Sequence, residues 1–134
     1  MPVNLYAEEI VAQYEHPHNK GKLEKASISM RNQNMLCGDD VTMYLKIVEN
    51  RIIDVKFEGV GCAISVATAS MLTDFVKGKK LNDVEGMGVQ SIFKLLGFDP
   101  GPARLKCATL PLRALKEAIF AYQHKKIDAD TQKL

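Results

Sequence analysis

A change of period near residue 60 constrains this chain more than any other feature. Before it, apolar residues alternate. Ala26, Ile28 and Met30 alternate with Ser27, Ser29 and Arg31; Val41, Met43, Leu45 and Ile47 alternate with Thr42, Tyr44, Lys46 and Val48. Ile53, Val55 and Phe57 alternate with Ile52, Asp54 and Lys56. Period two predicts strands with one buried face. Glu49-Asn50 is short enough to join the second and third strands as an antiparallel hairpin. After residue 60 the spacing becomes helical. Cys62 to Lys77 carries Ile64, Ala67, Met71, Leu72 and Phe75 on one face and stops at Gly78. A turn or short helix at Leu81–Gly86 and a helix over Val89–Leu96 follow. Phe98-Asp99-Pro100-Gly101-Pro102 is irregular. A last helix is expected from about Leu110 to Gln123, with Pro111 near its first position, where a missing N–H costs nothing. An opening helix, Leu5 to Tyr14, takes Asn4 as N-cap and stops before His16-Pro17.

Strands grouped first and helices grouped later predict an α+β domain: a three-stranded antiparallel sheet with helices packed on one face. At 134 residues one domain is expected, over residues 1–124, with a frayed polar tail at 125–134.

A net charge of +2, with Lys and Arg scattered, gives no footprint for nucleic acid. No apolar run reaches about 18 residues, so no membrane span is expected. The opening Met1-Pro2-Val3-Asn4 does not read as a secretory signal. Three cysteines, an odd number, argue against a disulfide framework and for reduced thiols in the cytoplasm.

The cysteines are Cys37 in Met35-Leu36-Cys37-Gly38-Asp39-Asp40, Cys62 in Gly59-Val60-Gly61-Cys62-Ala63-Ile64-Ser65, and Cys107 in Arg104-Leu105-Lys106-Cys107-Ala108-Thr109-Leu110. Each sits where a turn meets a regular element. Cys62 and Cys107 fall at expected helix N-termini, where unpaired N–H groups stabilise a thiolate, and Arg104 and Lys106 act in the same sense on Cys107. With Asp39 they make four donors, the number needed by tetrahedral zinc or one edge of an iron–sulfur cluster. There is no CxxC pair, so only the fold can bring them together. Spacing alone leaves standing the reading that they are three unrelated small residues. The carboxylate is a harder ligand than sulfur and suits a site that releases what it holds.

Cys37-Gly38-Asp39, Gly59-Val60-Gly61-Cys62-Ala63-Ile64-Ser65 and Arg104-x-Lys106-Cys107-Ala108-Thr109-Leu110 together resemble the three motifs of the iron–sulfur cluster assembly scaffolds of the IscU/SufU/NifU N-terminal type. The resemblance runs from about Leu5 to Tyr122, including His16-Pro17-His18-Asn19. It implies a site at one tip of the sheet and a non-enzymatic role: taking sulfur from a cysteine desulfurase, assembling a 2Fe–2S cluster, and passing it to acceptor apoproteins. It implies Cys37, Asp39, Cys62 and Cys107 as ligands, zinc as an alternative occupant of the same residues, and a second copy of the chain among the partners. Cys107, with its basic flanks, is the expected persulfide acceptor, with Lys106 steering the anion. The alternative is a SufU-like zinc-dependent sulfurtransferase relaying persulfide sulfur. The chain has Lys106 where the IscU branch has histidine, and Asp99-Pro100-Gly101-Pro102-Ala103 where that branch carries a chaperone-recognition motif. Between Cys62 and Cys107 it is shorter than the SufU branch.

His16 and His18 read as turn residues, and His124 as solvated. Gly59-Val60-Gly61 lacks the following Gly-Lys-Ser/Thr of a phosphate loop.

Overall fold

The computed structural model describes residues 2–35 and 38–134, with side chains from Glu8 onward. Its elements run α1 (Pro2–Glu15), β1 (Ile28–Asn34), β2 (Asp39–Val48), β3 (Arg51–Val60), α2 (Ala63–Val76), α3 (Leu81–Glu85), α4 (Val89–Leu96), α5 (Leu105–Tyr122) and α6 (Ala129–Gln132). The strands form one antiparallel sheet in the order β1-β2-β3. The expected α+β architecture is therefore the observed one. The inward row of β2 is Val41, Met43, Leu45 and Ile47, and β3 adds Ile52, Val55 and Phe57. Helices α5 and α2 lie on this face, and α1 packs on α2. Burying each of these large apolar side chains contributes about 1.5–3 kcal/mol.

The hairpin turns at Glu49-Asn50, with φ of 51° and 61°. Positive φ at both central residues matches the right-handed twist of the flanking strands. Just beyond the turn the register slips: Lys46 pairs with Asp54, but Ile47 pairs with Ile52. Ile53 is the extra residue. The bulge turns it outward, 49 % exposed, and puts Ile52 in the core at 0 %. The plain alternation had placed Ile53 inward with Val55. The segment after α1 runs beside β3, with Gly21 N–H on the Phe57 carbonyl at 2.7 Å and Phe57 N–H on the Asn19 carbonyl at 2.9 Å. It thereby covers part of an edge that would otherwise be open to pairing.

The helices depart from expectation in four places. α1 begins at Pro2, so Asn4 lies inside it and is not its N-cap. In α2 the buried set includes Ser65, Thr68, Ser70 and Thr73, because sheet and helices surround it, while Phe75 is half exposed. α5 begins at Leu105, five residues before the expected start, and carries Pro111 in its interior. Pro111 is the seventh residue of the helix, where it supplies no N–H to the Cys107 carbonyl four residues back and its ring crowds that carbonyl, a local cost borne in the second turn. The C-terminal segment is folded: Asp128 caps α6 by accepting from the Thr131 N–H at 2.8 Å, and Leu134 joins the core at 4 % exposure. Among the described residues no helix is long and apolar enough to cross a membrane.

Candidate metal centre

β2 begins at Asp39, and the alternation that sends Val41 and Met43 into the core also turns Asp39 inward. It ends that row at 2 % exposure. A carboxylate so placed is costly unless hydrogen-bonded. Its Oδ1 accepts the backbone N–H of Cys62 at 2.9 Å. Cys62 is the N-cap of α2, extended at φ −73° and ψ 169°, and makes no side-chain cap hydrogen bond. Its Sγ thus stands at the positive end of the helix, in the place a capping serine oxygen would occupy. That sulfur is 4.0 Å from Asp39 Oδ2.

Cys107 arrives from the other side as the third residue of α5, buried at 3 % exposure. The donor atoms of Asp39, Cys62 and Cys107 all lie within 4.8 Å of one another. Neither cysteine is in a disulfide. Donors around one tetrahedral ion stand about 3.5–3.8 Å apart, so shifts on the order of an ångström close the set on a metal. Two thiolates and a carboxylate are a donor set for zinc or iron. The structure brings together three of the four expected site residues. Cys37 lies outside the described residues.

Two glycines shape the approach. A Cβ on Gly59, which has φ 139°, would fall 1.9 Å from the Asp40 carbonyl oxygen. A Cβ on Gly61 would fall 2.1 Å from Ser65 Oγ and 3.0 Å from Asp39 Oδ1. Only bare Cα atoms let β3 and the entry to α2 close over Asp39. Asp40, next in sequence, is held elsewhere: Arg31 Nη2 reaches its Oδ2 at 2.6 Å. Hydrogen bonds from Arg31 hold the Asp40 carboxyl below its ordinary value, against an opposing effect of burial.

Lys106, expected to steer the persulfide anion, has a partner on the C-terminal segment. Its ammonium donates to the Lys133 carbonyl at 2.8 Å, on the folded C-terminal segment. His18 is remote from the site, its Nδ1 lying 2.5 Å from Asp74 Oδ2 on α2. His124 is an exposed left-handed residue just past the end of α5, at φ 58°. A cavity of about 420 Å³ lies at the far end of α2, lined in part by Phe75, Lys79 and Leu95, and holds none of the site residues. Beside Asp39, packing with Gly59, Ser65 and Pro111 leaves a void of only about 10 Å³, which neither cysteine lines. Ser65 is the site neighbour that sequence reasoning passed over. Its signal was its place three residues after Cys62, the third residue of α2.

Residues 5–129 match the model of the NifU-like N terminal domain family. The chain is 36 % identical over 126 residues to the iron–sulfur cluster assembly scaffold protein IscU 1 of Archaeoglobus fulgidus, covering 92 % of this chain and 82 % of that one. It is also 36 % identical, over 132 residues, to the zinc-dependent sulfurtransferase SufU of Bacillus subtilis, covering 86 % of this chain and 89 % of that one. Among solved structures, a putative assembly scaffold of the SUF system from Fervidobacterium islandicum superposes with a TM-score of 0.69 at 26 % identity, over 87 % of this chain and 98 % of that one.

Proposed function

This chain belongs to the NifU-like N-terminal domain family, and from that premise we propose that it is a scaffold for building a 2Fe–2S cluster and handing it to acceptor apoproteins. The observation that supports this reading is the convergence of Asp39, Cys62 and Cys107 within 4.8 Å at one tip of the sheet. With Cys37, two residues before Asp39 in sequence, they supply the four ligands. The cluster is cargo. Asp39, a hard donor among soft ones, is the ligand that lets it leave. The reading places the chain in a reducing, cytoplasmic compartment.

Sulfur comes from a cysteine desulfurase. The Cys107 thiolate attacks the outer sulfur of the desulfurase persulfide, the donor S–S bond breaks, and the desulfurase cysteine leaves as thiolate. One S–S bond forms and one breaks, so this exchange needs no net electrons. Because Cys107 is buried at 3 %, the first turn of α5 has to open for the exchange. The absence of an N–H at Pro111 lowers the cost of that opening.

A second reading is favoured by the relation to the zinc-dependent sulfurtransferase: the same residues hold zinc, and one cysteine leaves it to accept sulfur. Anaerobic reconstitution with iron, cysteine, a desulfurase and a thiol reductant, which supplies the electrons that turn each persulfide sulfur into sulfide, separates the two. The scaffold reading expects a visible chromophore that requires Cys37, Cys62 and Cys107 and moves to an apo-ferredoxin. A colourless zinc-loaded chain that speeds desulfurase turnover and collects sulfur on Cys107 would establish the relay instead.

A further inference from the structure

We infer that Ser65 is a positioning residue of the metal centre, acting through the backbone of Cys62. The inference rests on the reading that Cys62 is a ligand. Ser65 is 6 % exposed, and its hydroxyl donates to the Cys62 carbonyl at 3.2 Å. That carbonyl also accepts the Val66 N–H at 3.1 Å, the first hydrogen bond of α2. On its other side Cys62 gives its own N–H to Asp39. Both backbone polar groups of this ligand are therefore held, one by Asp39 and one by Ser65 and Val66. Together they fix the Cα–Cβ bond from which its sulfur hangs.

The arrangement inverts the usual roles at a helix N-terminus. There the third helical residue normally reaches back to the N-cap N–H. Here Asp39 has taken that donor, and Ser65 turns to the carbonyl instead. The two side chains meet over Gly61: a Cβ there would touch both Ser65 Oγ and Asp39 Oδ1. Ser65, Gly61 and Asp39 thus form a single packed unit around the Cys62 peptide. A serine that bonds to the carbonyl three residues back is, as a local feature, neutral or slightly unfavourable in a helix. The effect of Ser65 should therefore appear in the site and not in the stability of α2.

The test is zinc binding by competition with a chromogenic chelator, together with the visible spectrum of the cobalt-loaded protein. Ser65→Ala removes the hydroxyl while installing the best helix former. It is expected to weaken zinc binding about 10-fold, the lower end for losing an outer partner of a ligand. The cobalt bands should shift, and the melting temperature of the metal-free protein should stay level or rise. Ser65→Thr keeps the hydroxyl and should bind as the parent does. Should Ser65→Ala not fold, Ser65→Val replaces it, since valine and threonine differ there only by the hydroxyl. Equal zinc affinity and unshifted cobalt bands in Ser65→Ala, or in Ser65→Val against Ser65→Thr, would overturn the assignment, as would a fall in melting temperature alone. A parent chain that takes up neither metal overturns the scaffold reading itself.

Discussion

The two oxygens of Asp39 are divided toward Cys62: Oδ1 accepts the Cys62 backbone N–H at 2.9 Å, while Oδ2 faces the Cys62 sulfur at 4.0 Å. One carboxylate thus fixes the Cys62 peptide with one atom and turns the other toward the Cys62 sulfur, where the proposed function makes it a ligand. The hydrogen bond ties β2 to the start of α2, so the described part of the site is built into the sheet–helix joint.

Asp39→Ala should therefore carry a stability cost as well as a functional one. It strands a half-buried N–H, which costs about 1–3 kcal/mol. Asp39→Asn retains an acceptor oxygen and should cost less. Both lose the anionic donor, so both should bind zinc more weakly. Urea unfolding of the metal-free variants, set beside chelator competition, checks the separation. Equal stability of Asp39→Ala and the parent would show that the Cys62 contact carries no load.

Gly59 and Gly61 should fail in different ways. At Gly59 an added Cβ meets the Asp40 backbone at 1.9 Å and needs a left-handed φ of 139°. Neither side can yield, so Gly59→Ala should destabilise the fold by more than about 2 kcal/mol. At Gly61 the atoms met are the side chains of Ser65 and Asp39, which can turn aside. Gly61→Ala should keep most of the stability and lose metal affinity. Melting temperature and zinc affinity, measured on both variants, would rank them in opposite orders.

Sequence reading reached the hairpin because Glu49-Asn50 is a local signal, and it grouped Asp39, Cys62 and Cys107, which the fold brings together, because motifs carry them. It missed what depends on partners far along the chain. Ile53 is apolar and in phase with Val55, yet a slipped register faces it outward. Pro111 suggested a helix start, but it stands inside α5, where the lost N–H and the crowding of the Cys107 carbonyl are outweighed by the buried face of the helix. The polar composition of 125–134 hid Thr131 and Leu134, both buried by α5 and its neighbours. The burial of Asp39 was available, had the alternation of β2 been followed two residues back from Val41.

The folded C-terminal segment predicts that removing residues 125–134 destabilises the chain. Leu134 leaves the core, and Lys106 and Arg113 lose the Lys133 and Leu134 carbonyls they donate to at 2.8 and 3.2 Å. A loss of about 2–3 kcal/mol is expected, mostly from the leucine. An unchanged urea midpoint would mean that the segment is a free tail after all.

Beside Asp40 and Asp128, whose carboxyls are also lowered, Asp74 should carry part of the acid limb of stability. Burial pushes its carboxyl up, but hydrogen bonds from His18 and Asn19, with the charge of Lys77 nearby, bring it below its usual value of 3.8. A carboxyl depressed in the folded state stabilises above its unfolded pKa and loses that contribution as pH falls through the folded one. The tie between the segment after α1 and helix α2 should therefore weaken only below about pH 4. Asp74→Asn should flatten this limb and lower stability at neutral pH. Denaturation curves at pH 3, 5 and 7 check it, and identical acid limbs would remove Asp74 from the account.

The two described cysteines should differ in reactivity. Cys62 is half-buried at the N-terminus of α2, and Cys107 is buried at 3 % inside the first turns of α5. In the metal-free chain, iodoacetamide should modify Cys62 first and Cys107 only as α5 opens, since alkylation needs an accessible thiolate. Zinc should protect both. If Cys107 is the sulfur acceptor, a desulfurase must expose it, and its alkylation should speed up when the desulfurase is added while that of Cys62 does not. Peptide mass spectrometry over a time course reads all three statements. Cys107 reacting first in the free chain would mean that α5 opens unaided, and would remove the need for a partner to expose it.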